Sequence, residues 1–157
     1  MEKTLRDILY GAPLKEVIGT TDFSIQEVAF DSRKVNATSL FVAVKGVAND
    51  GHDYVADVIE KGCRAIVCEK VENAVSGVNY IVVENSAKAL GVIASNFYEN
   101  PSKELKLVGI TGTNGKTTTA TLLHQLFTNL GYEVGLISTV VNKIGSEDVP
   151  STHTTPN

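Results

Sequence analysis

The chain of 157 residues carries 14 basic and 18 acidic side chains, which gives a formal net charge of −4. This acidic balance argues against generic nucleic-acid binding, because such proteins use basic surfaces to neutralise phosphates. Hydrophobic residues make up 43% of the chain, so a globular protein is expected. No apolar run approaches the roughly 18 residues of a membrane span, and no membrane insertion is expected. Cys63 and Cys68 form no CxxC pair and are interpreted as reduced core thiols of a cytoplasmic protein.

Before residue 101 the apolar pattern alternates between strand and helix periods. A short helix is predicted after Thr4, a second after Asp53, and a third after Asn85 or Ser86, since these side chains can cap a helix. Strands are predicted over residues 24–30, 39–44, 65–68 and 80–83. This alternation of strands and helices predicts a mixed α/β layer structure.

A domain boundary is predicted at residues 100–102, where Asn-Pro-Ser should end the preceding helix. Residues 1–101 hold 10 basic and 14 acidic side chains, whereas residues 102–157 hold 4 of each. The second part reads as strand 105–110, a helix closed by Gly131, and strand 133–137. One such unit cannot cover both faces of a parallel sheet, so residues 102–157 are expected to be the incomplete start of a second, Rossmann-like α/β domain.

A glycine-rich segment lies between the predicted strand 105–110 and the helix that follows it. Its sequence is Thr111-Gly112-Thr113-Asn114-Gly115-Lys116-Thr117-Thr118. Glycines let successive backbone N–H groups point inward, and the helix start adds its positive dipole end, so the segment predicts a phosphate-binding loop. Lys116 is expected to reach the β- and γ-phosphates of ATP, and the Thr117 hydroxyl to ligate Mg²⁺. The general motif has glycine where this chain has Ile110, which indicates a subclass of the loop.

Five segments resemble the Mur ligase family, which builds the peptide stem of peptidoglycan. Residues 108–119 resemble the ATP loop of that family. Residues 30–33, 40–46 and 50–52 resemble its N-terminal domain, which holds the UDP part of the precursor. The segment 151–156, Ser-Thr-His-Thr-Thr-Pro, resembles one typical of the synthetase that adds the third stem residue.

The resemblance implies site residues by matching position. Lys116 and Thr117 would be catalytic, and ATP would be held by Gly112, Thr113, Asn114, Gly115, Lys116, Thr117 and Thr118. The UDP-linked precursor would contact Phe30, Ser32, Val47, Ala48, Asn49, His153, Thr154 and Thr155. From the residues alone, Ser32 is equally compatible with an ordinary turn position, and His52 is better explained as a turn or helix-entry residue than as a ligand. His124, on the helix after the loop, is interpreted as structural.

The resemblance further implies a monomeric, cytoplasmic, three-domain enzyme that uses ATP and Mg²⁺ to form an amide bond through an acyl phosphate. Its acceptor would be UDP-N-acetylmuramoyl-dipeptide, and its second substrate a diamino acid, either meso-diaminopimelate or L-lysine. Two alternatives stay open: a related ligase that adds D-alanyl-D-alanine, and a non-catalytic module that binds a nucleotide or a UDP-sugar. The 157-residue chain by itself is expected to be inactive, because most of the implied active site would lie elsewhere.

Overall fold

The computed structural model describes residues 2–46, 49–145 and 147–150. The chain divides into two compact units, Met1–Lys106 and Leu107–Asn157. The division falls a few residues after the tripeptide at 100–102. Glu99 and Asn100 adopt left-handed φ angles of 65° and 57° and end the preceding helix, and Pro101–Lys103 then forms a separate 3₁₀ helix. No helix in the described part of the chain is long and apolar enough to cross a membrane.

The first unit contains strands, α-helices and three 3₁₀ helices. In chain order they are β1 (Lys3–Thr4), α1 (Leu5–Ile8), β2 (Leu14–Ile18), β3 (Ser24–Ile25), β4 (Glu27–Ala29), a 3₁₀ helix (Ser32–Lys34), β5 (Ser39–Val42), a 3₁₀ helix (Gly51–Tyr54), α2 (Val55–Glu60), β6 (Ala65–Cys68), β7 (Asn79–Val83), α3 (Ser86–Phe97) and the 3₁₀ helix Pro101–Lys103.

A five-stranded sheet in the order β2-β7-β6-β5-β4 organises the first unit. Strands β4 to β7 run parallel, and β2 pairs antiparallel with β7 at one edge. Successive side chains of β5 lie on opposite faces of the sheet. Leu40 and Val42 pack with α1 and α3, whereas Phe41 packs with Val58 of α2. Helices therefore cover both faces, as parallel sheets require, and the predicted α/β layer structure is confirmed.

Local capping explains where the helices begin. The Thr4 side chain accepts a hydrogen bond from the Asp7 N–H at the start of α1. The Asn85 side chain accepts one from the Lys88 N–H, at 2.8 Å, at the start of α3. The helix predicted after Asp53 forms as α2, but Asp53 does not cap it: Asp53 lies in the preceding 3₁₀ helix, which Asp50 caps. Side-chain caps of this kind satisfy N–H groups that a helix start would leave unpaired.

Two features of the sheet differ from the sequence prediction. The predicted strand 24–30 is two strands: β3 pairs with β1 in a separate two-stranded sheet, and β4 pairs with β5. Strand β2 was not predicted, because its residues are exposed or half-buried at the sheet edge and carry little apolar alternation. An edge strand receives its register from its partner rather than from a buried face.

The second unit contains α4 (Lys116–Asn129) and an antiparallel sheet of β8 (Gly135–Leu136), β9 (Val141–Ile144) and β10 (Glu147–Pro150). The helix agrees with the prediction. The predicted strand 105–110 does not form, and its Leu107 and Val108 are 72% and 66% exposed. Only Gly135–Leu136 of the predicted strand 133–137 is a strand. Buried parallel strands need neighbours on both sides, and the described residues of this unit supply none for 105–110.

Candidate functional site

The start of α4 carries no side-chain cap, a property that it shares with α2 and the third 3₁₀ helix. At α1, at the first two 3₁₀ helices and at α3, a side chain caps the first turn, and these residues are Thr4, Asp31, Asp50 and Asn85. Helix α4 instead begins after Gly115, which adopts a left-handed φ of 76° and offers no capping side chain. The first-turn N–H groups are thus left for an anion, as at phosphate-binding helix starts.

Two side chains add chemistry to this loop. Lys116 is exposed, and its Nζ donates a hydrogen bond to the Gly112 carbonyl oxygen at 2.6 Å. Thr117 is half-buried one residue further on, and its carbonyl oxygen accepts from the Thr121 hydroxyl at 2.9 Å. A flexible cation, a hydroxyl and free N–H groups within one turn of helix fit the phosphates of a nucleotide.

The loop residues are also compatible with a Mg²⁺ ion that arrives bound to the nucleotide. Among the described residues no group of three or more His, Cys, Asp or Glu side chains could hold a metal ion. Mg²⁺ commonly takes most of its ligands from phosphates and waters and only one or two from protein, and Thr117 can supply one hydroxyl. The predicted Mg²⁺ role of Thr117 is therefore compatible with the loop.

In the first unit, the segment after β4 forms a tight turn. Asp31 accepts hydrogen bonds from the Arg33 guanidinium, at 2.7 and 2.9 Å, and from the Arg33 N–H at 3.0 Å. These bonds hold the pKa of the Asp31 carboxyl well below its usual range. The Ser32 carbonyl oxygen accepts from Lys61 Nζ at 2.7 Å, which anchors the turn on the residue after α2. Phe30 is 46% exposed beside the turn, and Ser32 is half-buried.

The segment after β5 forms a closed loop, residues 45–50, of which Val47 and Ala48 lie outside the described residues. Lys45 and Asp50 pair in an antiparallel bridge, and the Gly46 N–H donates to the Asn49 carbonyl oxygen at 2.9 Å. Asn49 is exposed at this loop. Since β4 and β5 are parallel neighbours, Ser32 and Asn49 both follow the carboxyl ends of strands and lie on the same side of the sheet. This side, beyond the carboxyl ends, is where α/β folds bind ligands.

Loop 45–50 is tied to the next strand by a hydrogen-bond network. Asp50 Oδ1 accepts from the His52 N–H at 3.0 Å and lies 2.6 Å from His52 Nδ1, and these contacts lower the pKa of the Asp50 carboxyl. His52 Nε2 accepts from the Glu69 N–H at 2.9 Å. Glu69 in turn accepts from the N–H and the hydroxyl of Ser86, both at 2.9 Å, which lowers the pKa of its carboxyl.

A polar cavity of about 290 Å³ also opens beyond the carboxyl ends of the parallel strands. Its lining comes from the ends of four strands and consists of Lys15, Lys45, Asp50, His52, Glu69, Lys70 and Glu84. Lys15 reaches it from a bulge in β2, where the register with β7 shifts between Leu14 and Glu16. His52 lies in a segment with a sequence signal, whereas Lys15, Glu69 and Lys70 have none, because they share no spacing and meet only through the sheet.

The predicted site residues thus fall in separate parts of the chain. Those assigned to ATP, residues 112–118, form the loop and first turn of α4 in the second unit. Phe30, Ser32 and Asn49 lie at one sheet edge of the first unit. The other five predicted precursor contacts fall outside the described residues: Val47, Ala48, His153, Thr154 and Thr155.

Comparison with known families identifies both units. Residues 24–98 match the model of the Mur ligase family, catalytic domain, and residues 110–157 match the Mur ligase middle domain. The chain belongs to the Mur ligase family. This match confirms the resemblance that residues 108–119 and 30–33 indicated.

Individual Mur ligases show which branch of the family is most similar. The chain is 54% identical to UDP-N-acetylmuramoyl-L-alanyl-D-glutamate–2,6-diaminopimelate ligase of Cytophaga hutchinsonii, over 97% of this chain and 32% of that protein. Among solved structures, the D-alanyl-D-alanyl-adding ligase from Acinetobacter baumannii matches 83% of this chain and 29% of its own, with a TM-score of 0.59 and 28% identity. The MurF ligase from Thermotoga maritima in complex with ADP matches 66% of this chain and 23% of its own, with a TM-score of 0.51 and 31% identity. The chain therefore spans about a third of the length of its curated relative.

Proposed function

We propose that the protein containing this chain adds meso-diaminopimelate to UDP-N-acetylmuramoyl-L-alanyl-D-glutamate in an ATP-dependent reaction. The observation that carries the proposal is the 54% identity, across both units, to a ligase of that name. The likeness to ligases that add D-alanyl-D-alanine is weaker, at 28% identity. We favour the diaminopimelate reaction over that alternative and over a non-catalytic nucleotide-binding module.

Lys116 and the loop amides are the proposed ATP-binding groups. The uncapped start of α4 supports this role, since its N–H groups and dipole favour phosphate oxygens. When ATP binds, the Lys116 ammonium exchanges the Gly112 carbonyl oxygen for phosphate oxygens and neutralises charge on the transferred group. Thr117 would hold Mg²⁺, which supplies further charge neutralisation at the β- and γ-phosphates. The solved MurF structure with ADP is consistent with nucleotide use by this family.

The proposed chemistry activates a carboxylate that would otherwise repel an amine. A carboxylate oxygen of the terminal D-glutamate attacks the γ-phosphorus of ATP, which forms an acyl phosphate and releases ADP. The amine of diaminopimelate then attacks the acyl carbon, the C–O bond to phosphate breaks, and an amide, inorganic phosphate and a proton result. Phosphoryl transfer of this kind depends mainly on positioning and charge neutralisation, which the loop residues provide.

The first unit is the proposed holder of the UDP-linked precursor. Phe30 and Ser32 after β4, and Val47, Ala48 and Asn49 after β5, are the proposed contacts to its UDP half. His153, Thr154 and Thr155 are the proposed contacts to its muramoyl-peptide half. The shared sheet edge of Ser32 and Asn49 supports this assignment, because neighbouring parallel strands present their following loops to one ligand.

We also propose that the enzyme is cytoplasmic and monomeric. Cys63 and Cys68 are both buried free thiols, as is typical of proteins in reducing compartments. Burial raises the pKa of the Cys68 thiol to about 11, which keeps it protonated and unreactive at neutral pH.

The deciding experiment incubates the full-length protein with ATP, Mg²⁺, UDP-N-acetylmuramoyl-L-alanyl-D-glutamate and one amino acid or dipeptide at a time. The candidates are meso-diaminopimelate, L-lysine and D-alanyl-D-alanine. ADP release and the mass of the product are measured. We expect turnover with meso-diaminopimelate; turnover with L-lysine alone would redirect the proposal within the same reaction, and no precursor-dependent ADP release would overturn it.

A further inference from the structure

The His52 imidazole is nearly enclosed and has a partner at each ring nitrogen. Its side chain is 11% exposed, although it lies in a short 3₁₀ helix at a sheet edge. The Glu69 N–H can only donate, so His52 Nε2 is the unprotonated nitrogen that accepts it. Nδ1 therefore carries the proton and donates it to Asp50 Oδ1 at 2.6 Å. The two partners fix a neutral imidazole in one tautomer.

This imidazole bridges the base of loop 45–50 to the rest of the sheet. On one side, the Gly51 N–H donates to the Val44 carbonyl oxygen at 2.8 Å, and a Cβ on Gly51 would lie 2.7 Å from the Val44 nitrogen. The backbone is therefore close-packed against β5 at a point where only glycine fits. On the other side, His52 links Asp50 to the residue that follows β6.

The bridge continues into the core of the unit. Glu69, whose N–H contacts His52, uses its carboxylate to accept two hydrogen bonds from Ser86 at the start of α3. Ser86 is fully buried. The base of loop 45–50 is thus connected through His52 to the end of β6 and to the start of a twelve-residue helix.

We propose that His52 is a positioning residue for the UDP-linked precursor, which acts by bridging Asp50 and Glu69 so that Asp50 and the adjacent Asn49 are held in one geometry. The inference rests on the proposed function, since it takes Asn49 to contact the precursor. Ordering a binding residue when the ligand arrives costs conformational entropy, and a residue fixed beforehand avoids that cost. Loss of the bridge therefore weakens precursor binding and leaves ATP binding, assigned to the second unit, unchanged.

Two amide substitutions separate the two hydrogen bonds of the imidazole. In His52→Asn the amide lies near the position of Nδ1 and can serve Asp50, but it is too short to reach the Glu69 N–H. In His52→Gln the longer side chain places an amide oxygen near the position of Nε2, where it can accept from Glu69. Because both variants carry the same functional group, they differ mainly in reach.

The experiment measures KM for UDP-N-acetylmuramoyl-L-alanyl-D-glutamate, KM for ATP, kcat and the thermal midpoint of the full-length enzyme and both variants. We expect His52→Asn to raise the precursor KM by roughly 3- to 10-fold, as for the loss of one hydrogen bond. We expect His52→Gln to stay within about twofold, because it keeps an acceptor for the Glu69 N–H and Asp50 still accepts from the backbone N–H of residue 52. We expect kcat and the KM for ATP to change little in both variants.

Each other result contradicts the proposal in a recognisable way. Equal precursor KM values for the parent and His52→Asn would mean that the bridge does not position the loop. Parallel changes in kcat, both KM values and the thermal midpoint would mean that His52 only stabilises the fold. If the parent itself shows no precursor-dependent ADP release, the proposed function fails instead, and direct calorimetric titration with the precursor then decides whether His52 influences its binding.

Discussion

The Lys116 ammonium donates a hydrogen bond to the Gly112 carbonyl oxygen at 2.6 Å, so the side chain folds back over the loop that precedes it. The donor and acceptor lie four residues apart, on either side of the left-handed Gly115. A cation held at this point is already beside the uncapped N–H groups of α4. The free loop therefore keeps its positive charge where phosphate oxygens would lie.

Removing this cation gives the first prediction. We expect Lys116→Ala to lower kcat/KM of the full-length enzyme by roughly 10²- to 10³-fold, as for other groups that stabilise developing charge. ADP release under saturating precursor is the measurement. Lys106→Ala is the matched control, because Lys106 is also an exposed lysine but lies before the loop. Kinetic constants within twofold of the parent for Lys116→Ala would contradict the assignment of the loop to ATP.

A pair of glycines tests whether the shape of the loop matters as well as its charge. Gly115 has a φ of 76°, and an added Cβ would meet no atom within 4 Å, so Gly115→Ala introduces only backbone strain. That strain is ~1–2 kcal/mol, and we expect the KM for ATP to rise roughly 5- to 30-fold.

Gly91 in α3 provides the opposite control. An added Cβ there also meets no atom within 4 Å, but the backbone is helical, so Gly91→Ala relieves a helix-propensity cost of about 0.5–1 kcal/mol. We expect a higher thermal midpoint and an unchanged KM for ATP. If Gly115→Ala leaves the KM for ATP unchanged too, the left-handed residue is not needed for nucleotide binding.

The start of α4 after the glycine-rich loop could be predicted from sequence because all the signals for it are adjacent in the chain. Helix α4 begins at Lys116 as expected, since the glycine, the lysine and the apolar spacing that follows are local signals. The precursor contacts stay predictions, because they depend on loops whose meeting point is set by strand order. The link from His52 to Glu69 had no sequence signal, since it uses a backbone N–H seventeen residues away.

The missing strand at 105–110 shows the limit of apolar patterns. Leu107 and Val108 have the composition of a buried strand, but a strand forms only when partners supply its hydrogen bonds. The described residues around them do not provide such partners, and both side chains are exposed. Strand β6, with equally apolar residues, forms because β5 and β7 flank it.

Ser32 gives a prediction about the precursor. Its carbonyl oxygen accepts from Lys61 and its turn is held by the Asp31–Arg33 pair, so the backbone at Ser32 is fixed. We expect Ser32→Ala to weaken binding of UDP-N-acetylmuramoyl-L-alanyl-D-glutamate by roughly 3- to 10-fold in calorimetric titration. Ser102→Ala, at an exposed serine of the third 3₁₀ helix, is the control. Equal affinities for Ser32→Ala and the parent would assign Ser32 to the turn alone.

Glu69 connects the candidate site to the acid stability of the fold. The N–H and hydroxyl of Ser86 donate to its carboxylate and lower its pKa, so the folded state favours the ionised form more than the unfolded state does. Stability from this group is therefore complete above the ordinary glutamate pKa of roughly 4.3. It is lost as the pH falls below that value and through the lowered pKa of the folded state.

In Glu69→Gln the amide oxygen can still accept from Ser86 but does not titrate. We expect the free energy of unfolding to fall less steeply below about pH 4.3 in this variant than in the parent, measured by urea titration at several pH values. Ser86→Ala, which removes the hydroxyl but keeps the N–H, should lie between the two. Identical pH profiles for the parent and Glu69→Gln would mean that the Ser86 contacts do not favour the ionised carboxylate in the folded state.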